Sequence, residues 1–338
     1  MNIALIGFGV VGQGFAEALH KKAAQLRDEH GFAAQIVAVT TRSRGTLYCP
    51  DGLDLSALLV TGGGSLAAYP DGDGLHRDWT TEQIITASNA DVIVELAYSN
   101  LETGQPAIDH VRAAMNAGKH VVLANKGPVA LAFAELNTLA AQNGVEFLFE
   151  ATVMAGTPAL RLAQHTLRGT TIFAARGILN GTTNYILTQM EAGMPYADAL
   201  AEAQEKGYAE ADPTADVDGW DAAGKVLILS SVLFGRALTF DELDVTGISH
   251  LTAADIEAAA AAGERYRLIA EATPEGGSVK PVRLPVNNPL AGVGGATNAI
   301  TLSTDLMGDI TLIGAGAGQL ETAFAILSDL LLIHDRHK

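Results

Sequence analysis

A dense group of acidic residues followed by a lysine is the segment of this sequence best suited to chemistry. Five of the twelve residues from position 210 to position 221 are carboxylates, and Lys225 follows four residues after Asp221. Carboxylates can bind an amino group of a ligand, and a lysine can donate a proton to a carbonyl that is being reduced. The alternative is a solvated acidic loop, in which Asp221 and Lys225 form a surface pair worth only about 0.3–0.5 kcal/mol. The apolar residues 226–229 predict a buried helix, which favours the chemical interpretation.

A glycine-rich turn directly follows the first apolar run of the chain. Gly7, Gly9 and Gly12 form a GxGxxG pattern between residues 3–6 and an amphipathic helical pattern. In dinucleotide-binding folds these glycines allow a tight turn, close approach of a pyrophosphate and close packing of helix on strand. The helix N-terminus then attracts the phosphates. An ordinary tight turn is the alternative, but the position between strand and helix favours dinucleotide binding. The predicted contacts are Gly7, Phe8, Gly9, Val10, Val11 and Gly12.

The end of the second predicted strand bears on which dinucleotide binds. Residues 35–40 are followed by Thr41, Arg42, Ser43 and Arg44, without an acidic residue. A carboxylate here would accept the ribose 2′-hydroxyl of NAD, whereas arginine accommodates the 2′-phosphate of NADP. We therefore predict a coenzyme contact at Arg42 and favour NADP over NAD. The alternative is that these arginines only solvate a loop.

Lys126 is a second candidate for chemistry. It follows the predicted strand at residues 120–124 and precedes Pro128, which can occupy the first turn of a helix. Open α/β sheets bind ligands at the carboxyl ends of their strands, and Lys126 stands at such an end. Taken alone, its position is equally compatible with a solvated lysine.

Short β-rich runs alternate with helical patterns in the first half of the sequence, and these elements must position the residues above. Continuous apolar runs joined by helices predict a parallel sheet covered on both faces. The predicted strands are residues 3–6, 35–40, 91–96, 120–124 and 145–149, and the predicted helices are residues 14–29, 103–117 and 131–142.

Helices and strands no longer alternate strictly after residue 149. Strands are predicted at 171–178, 278–286 and 310–313, and helices at 182–191, 196–205, 220–234 and 255–272. Residues 314–318 read Gly-Ala-Gly-Ala-Gly and precede a last helical pattern at 319–333, which resembles the first half. The predicted fold is α/β, with a Rossmann dinucleotide-binding domain joined to a second α+β domain for substrate binding, catalysis and dimerisation. The predicted domains are residues 1–130 with 314–338, and residues 131–313.

Composition excludes several classes of protein. The 338 residues are 48% hydrophobic and carry a formal net charge of −17, which argues against disorder and against nucleic-acid or membrane partners. The single cysteine, Cys49, permits no internal disulfide and no four-cysteine zinc site, and no histidine spacing typical of catalytic zinc occurs. The first residues lack the basic segment of a secretory signal, and no apolar run reaches the roughly 20 residues of a membrane span. We therefore expect a cytoplasmic protein.

Six motifs together resemble homoserine dehydrogenases, almost from end to end. They are GFGVVGQG at 7–14, ANKGPVA at 124–130, EATVMAGTP at 150–158, GILNGTTNYIL at 177–187, GYAEADPTADVDGWDAAGK at 207–225 and GAGAG at 314–318. The fourth and fifth motifs are specific to that family. The resemblance is to the short form, without a C-terminal regulatory domain. It implies reversible NAD(P)-dependent interconversion of L-aspartate 4-semialdehyde and L-homoserine, in threonine and methionine biosynthesis.

The resemblance also implies roles for individual residues. Lys225 corresponds to the proton donor to the semialdehyde carbonyl, and Lys126 to a second lysine near the nicotinamide and the substrate. Glu210, Asp221 and Asp216 correspond to substrate-binding acids, with Glu210 on the ammonium group. Further implied coenzyme contacts are Gly318, Ala97 and Ser99.

A monovalent-cation loop and an oligomer are implied in the same way. Glu150, Val153, Ala155 and Thr157 match the loop in which a carboxylate and backbone carbonyls bind structural sodium, and such oxygen ligands suit a hard cation. The family forms homodimers or homotetramers, and we expect the same of this chain.

The residues alone leave two other functions open. One is a different two-domain dehydrogenase acting on a related amino acid. The other is a non-catalytic dinucleotide-binding protein, because a fold does not by itself give a function. The second alternative would leave Lys126 and Lys225 without a role.

Overall fold

The computed structural model describes residues 1–338, which divide into two compact units. The first unit comprises Met1–Gly156 and Gly318–Lys338, and the second comprises Thr157–Ala317. The predicted boundary at residue 130 falls inside a helix, Lys126–Asn143, that belongs to the first unit. The first segment of that unit ends at Gly156. That unit extends further because the helix packs on its neighbour and the strand after it joins the first sheet.

The first unit contains a six-stranded sheet in the order β3-β2-β1-β4-β5-β6. Its strands are Asn2–Ile6 (β1), Gln35–Thr41 (β2), Gly45–Tyr48 (β3), Val92–Glu95 (β4), His120–Leu123 (β5) and Phe147–Leu148 (β6). All neighbouring strands are parallel except β2 and β3, which form an antiparallel hairpin. This order is that of a Rossmann sheet, so the predicted dinucleotide-binding fold is confirmed.

Seven α-helices belong to the first unit. They are Val10–His30 (α1), Leu55–Thr61 (α2), Thr81–Ala87 (α3), Ala107–Asn116 (α4), Lys126–Asn143 (α5), Ala151–Met154 (α6) and, from the end of the chain, Gln319–Arg336 (α13). Helix α13 packs along α1, and its Ile326 and Leu330 join Phe15 and Leu19 of α1 in one apolar core. The two helices approach closely at Gly14, where a Cβ atom would lie 2.7 Å from the backbone oxygen of Gln319.

The second unit contains a six-stranded sheet in the order β12-β11-β7-β9-β10-β8. Its strands are Ile172–Ile178 (β7), Asp244–Val245 (β8), Glu264–Thr273 (β9), Gly276–Pro285 (β10), Thr297–Thr304 (β11) and Gly308–Ala315 (β12). Only β8 and β10 are parallel; the other pairs are antiparallel. An open, mostly antiparallel sheet with helices is the α+β architecture predicted for this part of the chain.

Helices α8, α11 and α12 pack on this second sheet. The helices of the unit are Ala159–Arg161 (α7), Gly181–Glu191 (α8), Tyr196–Glu205 (α9), Thr214–Val217 (α10), Trp220–Phe234 (α11) and Ala253–Ala261 (α12). Residues Ala222 to Ser231 of α11 are all buried, as expected for the apolar run that follows Lys225. No helix in the protein combines the length and the apolar character that a membrane crossing requires.

Candidate active site

The glycine-rich turn between β1 and α1 is shaped to receive phosphate groups. Gly7 has φ +105°, and a Cβ atom there would lie 2.8 Å from the backbone of Leu96, so a glycine is required. A Cβ atom at Gly9 would meet nothing within 4 Å, which leaves the space above the turn open. No side chain caps the N-terminus of α1. Its first N–H groups therefore remain available to an anion.

Arg44 is attached to this turn, although sequence reasoning singled out Arg42. The Arg44 guanidinium donates hydrogen bonds to the carbonyl of Phe8 at 2.7 Å and to the carbonyl of Gly63 at 2.8 Å. Arg42 lies exposed at the tip of the β2–β3 hairpin. Two arginines in one hairpin were visible in the sequence, but only the hairpin geometry shows which of them reaches back to the glycine-rich turn.

Glu95, at the carboxyl end of β4, fixes the loop that follows it. Its carboxylate is fully buried; one oxygen accepts the backbone N–H of Ala97 at 2.7 Å, and the other lies 2.7 Å from Nδ1 of His110. Sequence reasoning gave Glu95 no role. A charged residue ending a continuous apolar strand was the signal that could have indicated one, because such a residue is seldom buried without a partner.

The structure brings Ala97, Ser99 and Lys126 together at this edge of the sheet. The Ser99 hydroxyl accepts the backbone N–H of Lys126 at 3.0 Å, and the Asn125 side chain donates to the carbonyls of Ala97 at 3.0 Å and Tyr98 at 3.2 Å. The loops after β4 and β5 are therefore tied to each other by side-chain hydrogen bonds. Lys126 is half-buried at the start of α5.

Gly318 belongs to the first unit and directly precedes α13. It is exposed and has φ +138°, which favours glycine. The next residue, Gln319, packs against Gly14 in the second turn of α1. The close contact of α13 with α1 therefore places Gly318 near the start of α1, on the side of the glycine-rich turn.

In the second unit, Lys225 is the centre of a buried polar cluster. Only 6% of the residue is exposed, and its Nζ donates to the Leu179 carbonyl at 2.5 Å and to Asp221 Oδ2 at 2.7 Å. The Asn180 side chain donates to the same oxygen of Asp221 at 3.1 Å and to Asp216 Oδ1 at 2.6 Å. A solvated surface pair, the alternative that the sequence left open, is therefore wrong for Asp221 and Lys225.

Burial also changes the pKa of Asp216. Loss of solvation raises the pKa of its carboxyl above the usual value, and the nearby charge of Asp221 raises it further. The hydrogen bond from Asn180 acts in the opposite direction, because it stabilises the carboxylate. The cluster thus joins one ammonium group, two carboxyl groups and one amide within hydrogen-bond distance. Such a set can hold a polar ligand and supply a proton.

Glu210 does not belong to this hydrogen-bonded cluster. It lies exposed in the loop between α9 and α10, where its backbone carbonyl accepts a hydrogen bond from the Gln204 side chain at 3.0 Å. The structure brings together Lys225, Asp221 and Asp216 among the predicted substrate residues, and it leaves the Glu210 carboxylate at the surface.

The predicted cation loop surrounds the short helix α6. Glu150 is 5% exposed, and its backbone N–H donates to Asp329 Oδ2 at 3.1 Å. Val153 is buried in α6, and Ala155 after it has φ +45°, the one positive φ outside glycine. A buried carboxylate and a backbone turned sharply at Ala155 suit a cation held by oxygen ligands. Thr157 begins the second unit, where its hydroxyl donates to the Ala315 carbonyl at 3.0 Å.

Comparisons with known proteins give matches over nearly the whole chain. A family model described as "Homoserine dehydrogenase, NAD binding domain" matches residues 7–150, and one described as "Homoserine dehydrogenase" matches residues 158–331. The chain is 43% identical to the NAD(+)-dependent homoserine dehydrogenase of Pseudomonas canavaninivorans, over 98% of this chain and 96% of that protein. It is 40% identical to the homoserine dehydrogenase of Methanocaldococcus jannaschii over the full length of both.

A solved structure shows the same similarity in three dimensions. The hyperthermophilic archaeal homoserine dehydrogenase in complex with NADPH superimposes with a TM-score of 0.84 at 30% identity. The match covers 99% of this chain and 98% of that one. The similarity therefore extends over both units.

Proposed function

Because the chain belongs to the homoserine dehydrogenase family, we propose that Lys225 is the general acid of its reaction. The enzyme is an NAD(P)-dependent oxidoreductase that reversibly reduces L-aspartate 4-semialdehyde to L-homoserine. The two rival functions left open by the residues, a different dehydrogenase and a non-catalytic binding protein, are therefore excluded.

The hydrogen bonds of Lys225 are the observation that supports this role. An ammonium group has three N–H donors, and Leu179 and Asp221 accept two of them. The third donor is left for the carbonyl oxygen of the substrate. When bound, the coenzyme supplies the hydride to the aldehyde carbon. Lys225 gives a proton to the oxygen, and the reverse reaction returns that proton to the lysine.

Asp221 acts through Lys225, as a positioning residue, besides its proposed contact with the substrate. Its Oδ2 accepts from both Lys225 and Asn180, so Asn180 holds the carboxylate that directs the ammonium group. Near-attack geometry of this kind accounts for a large part of the rate of many enzymes. Glu210 and Asp216 complete the proposed substrate site. An exposed carboxylate at Glu210 suits the ammonium group of the amino acid.

The first unit holds the proposed coenzyme contacts. We assign the phosphates to the turn formed by Gly7, Phe8, Gly9, Val10, Val11 and Gly12, and the nicotinamide side to Ala97, Ser99, Lys126 and Gly318. The uncapped N-terminus of α1 and the tied loops after β4 and β5 support this assignment.

NADP is the proposed preference, with Arg42 on the 2′-phosphate. An exposed arginine at the hairpin tip, with Arg44 fixed beside the glycine-rich turn, favours a phosphate over a free hydroxyl. Two of the relatives differ in the coenzyme that their names give. The Pseudomonas canavaninivorans protein is named NAD(+)-dependent, and the hyperthermophilic archaeal protein was solved with NADPH. Parallel kcat/KM values for NADPH and NADH, with and without sodium, test the preference. Equal or higher efficiency with NADH would contradict it.

Structural sodium is proposed at Glu150, Val153, Ala155 and Thr157. The buried Glu150 carboxylate and the turned backbone at Ala155 fit a hard cation, which would hold this loop in place by charge and coordination. The proton and hydride transfers do not involve it. If the site is structural, sodium raises the melting temperature of wild type and not that of Glu150→Gln.

A second copy of this chain is the proposed partner, in a homodimer or homotetramer. The sheet of the second unit exposes large apolar side chains, Phe173 on β7 and Ile313 on β12, which are 51% and 57% exposed. Burying them against another copy would remove apolar surface from water. Light scattering of the purified protein measures the assembly, and a monomer would contradict the proposal.

We place the enzyme in the cytoplasm, where the nicotinamide coenzymes are available.

Replacing Lys225 by alanine tests the central role. We expect kcat to fall about 10²–10⁴-fold, the usual contribution of one general acid, with the coenzyme KM unchanged. Oxidation of NADPH by L-aspartate 4-semialdehyde provides the measurement. Lys280→Ala is the matched control, since Lys280 pairs with Asp244 on the exposed face of the same unit. A Lys225→Ala enzyme with wild-type kcat would remove Lys225 from the mechanism.

A further inference from the structure

Asn298 on β11 carries a buried amide that no protein group satisfies. The residue is 1% exposed, and neither its Oδ1 nor its Nδ2 has a hydrogen-bond partner. Such a group destabilises a fold, because it gives up its hydrogen bonds to water without replacement. A buried polar group that no protein group satisfies needs an explanation, and one is a partner that reaches it when a ligand binds.

The surroundings of Asn298 indicate where that partner comes from. Across the β11–β12 ladder Asn298 pairs with Gly314, and its amide lies directly against Gly316. A Cβ atom at Gly316 would fall 1.9 Å from Nδ2 and 2.0 Å from Cγ, so only glycine fits there. Oδ1 also lies 3.5 Å from the Cβ position of Gly181, the first residue of α8. The amide is thus next to the segment 314–318, whose first two residues end β12, and next to Gly181 at the start of α8.

The strand that bears Asn298 is held firmly in place. The Asn184 side chain donates to the carbonyls of Val293 at 3.2 Å and Thr297 at 3.0 Å, and Arg267 Nε donates to Val293 at 2.9 Å. The segment before β11 is therefore fixed by α8 and β9. The backbone that carries Asn298 is therefore held in place, and the segment opposite it, at Gly316, is the nearest source of a partner.

We propose that Asn298 is a positioning residue for the coenzyme, whose amide hydrogen-bonds the backbone of residues 316–317 in the coenzyme-bound enzyme. An amide offers one acceptor and two donors, which complement a backbone N–H and carbonyl. The glycine at 316 removes the side chain that would prevent this approach. The hydrogen bonds fix the turn that ends at Gly318. The inference rests on the proposed contact between Gly318 and the coenzyme, and is independent of the role of Lys225.

Asn298→Leu, which keeps the branched shape of the side chain and removes the amide, tests the inference. Without coenzyme, the variant should melt at the wild-type temperature or above it, because an unpaired polar group has been removed. The coenzyme KM should rise by roughly ten-fold, as expected for one or two lost hydrogen bonds. The rise in melting temperature on adding NADPH should shrink accordingly. Asn298→Ala, which cannot clash with its neighbours, should show the same rise in KM.

Asn184→Leu provides the matched control. Asn184 is a buried asparagine whose amide donates two hydrogen bonds, so this variant should melt below wild type without coenzyme. If Asn298→Leu is destabilised like Asn184→Leu in the free enzyme, the amide is already paired there and the inference is wrong. It is also wrong if both Asn298 variants keep the wild-type coenzyme KM.

A further variant separates this inference from the contact on which it rests. If Gly318→Ala leaves the NADPH-induced shift in melting temperature intact, the proposed contact at Gly318 fails, and the inference about Asn298 fails with it. If Gly318→Ala reduces that shift while Asn298→Leu does not, only the inference about Asn298 fails.

Discussion

We expect the ion pair between the buried Lys225 and the partly buried Asp221 to support both the stability of the second unit and the proposed catalysis. In Asp221→Asn the charge of Lys225 stays buried without its counter-charge, and Asn180 loses a charged acceptor. We expect the free energy of unfolding to fall by about 3 kcal/mol, the lower part of the range for breaking a buried pair. We expect kcat to fall at least ten-fold, because the ammonium group is no longer directed. Chemical denaturation and steady-state kinetics measure both effects.

The exposed pair in the same unit shows what burial adds. Asp244→Asn removes the charged partner of Lys280, whose side chain is 43% exposed. The free energy of unfolding should therefore fall by at most about 1 kcal/mol. An Asp221→Asn enzyme as active and as stable as Asp244→Asn would mean that Lys225 needs no counter-ion.

Asp216 makes stability depend on pH in a defined direction. Since burial raises its pKa above 3.8, the folded protein keeps a proton that the unfolded chain has already lost. The contribution of this group to the free energy of unfolding therefore falls as pH rises from about 3.8 through the raised pKa. Asp216→Asn does not titrate and can still accept from Asn180. Its stability relative to wild type should increase with pH over that window, as measured by melting temperatures between pH 4 and pH 8. A constant or decreasing difference would contradict this assignment.

Among the elements, the loop between β4 and α4 is held at its start by a buried carboxylate, that of Glu95. Glu95 uses one oxygen for Ala97 and the other for His110, whereas glutamine has only one acceptor to offer. Glu95→Gln should therefore loosen the loop and raise the coenzyme KM about three- to ten-fold, with the KM for homoserine unchanged. Glu135→Gln, at an exposed pair with Arg112, is the control that should change neither value. Equal changes in both KM values for Glu95→Gln would assign the residue to the general fold.

The elements that the sequence predicted well are those in which local and global signals agree. The strand, glycine turn and helix at residues 3–29 were recognisable because apolar run, turn and amphipathic pattern all favour one arrangement. Helix α11 was recognisable from its continuous apolar face. Likewise, Lys225 and Asp221 were found because they lie in one continuous motif.

The second sheet was predicted less well. A helix expected at 255–272 ends at Ala261; Gly263 has φ +72°, and residues 264–273 form β9. An alanine run favours helix locally, but pairing with β7 and β10 decides the conformation beyond the glycine. Strand β11 was missed as well. The roles of Arg44 and Glu95 depend on a hairpin and a loop whose geometry no local pattern encodes.

At the scale of the whole molecule, the first unit is built from both ends of the chain. Helix α13 contributes Ile326, Leu327, Leu330 and Ile333 to the core of that unit, at about 1.5–3 kcal/mol for each buried side chain. Deleting residues 319–338 should therefore remove as much stabilisation as a typical domain possesses. We expect the truncated protein to lose NADPH binding and to be digested rapidly within residues 1–156. Coenzyme titration and limited proteolysis measure this, and deletion of Lys338 alone is the control. A truncated protein that binds NADPH normally would show that α13 is dispensable.

Because α13 belongs to the first unit but is synthesised last, it also sets the order in which the two units can fold. Residues 157–317 are contiguous and can collapse as soon as they leave the ribosome, whereas the nucleotide-binding half, although synthesised first, waits for the last helix to complete its core. During translation that half exposes the apolar surface of α1 for the time needed to make the rest of the chain. We expect chaperones to bind this exposed apolar surface during translation. Slow synthesis would lengthen the time in which the surface can aggregate.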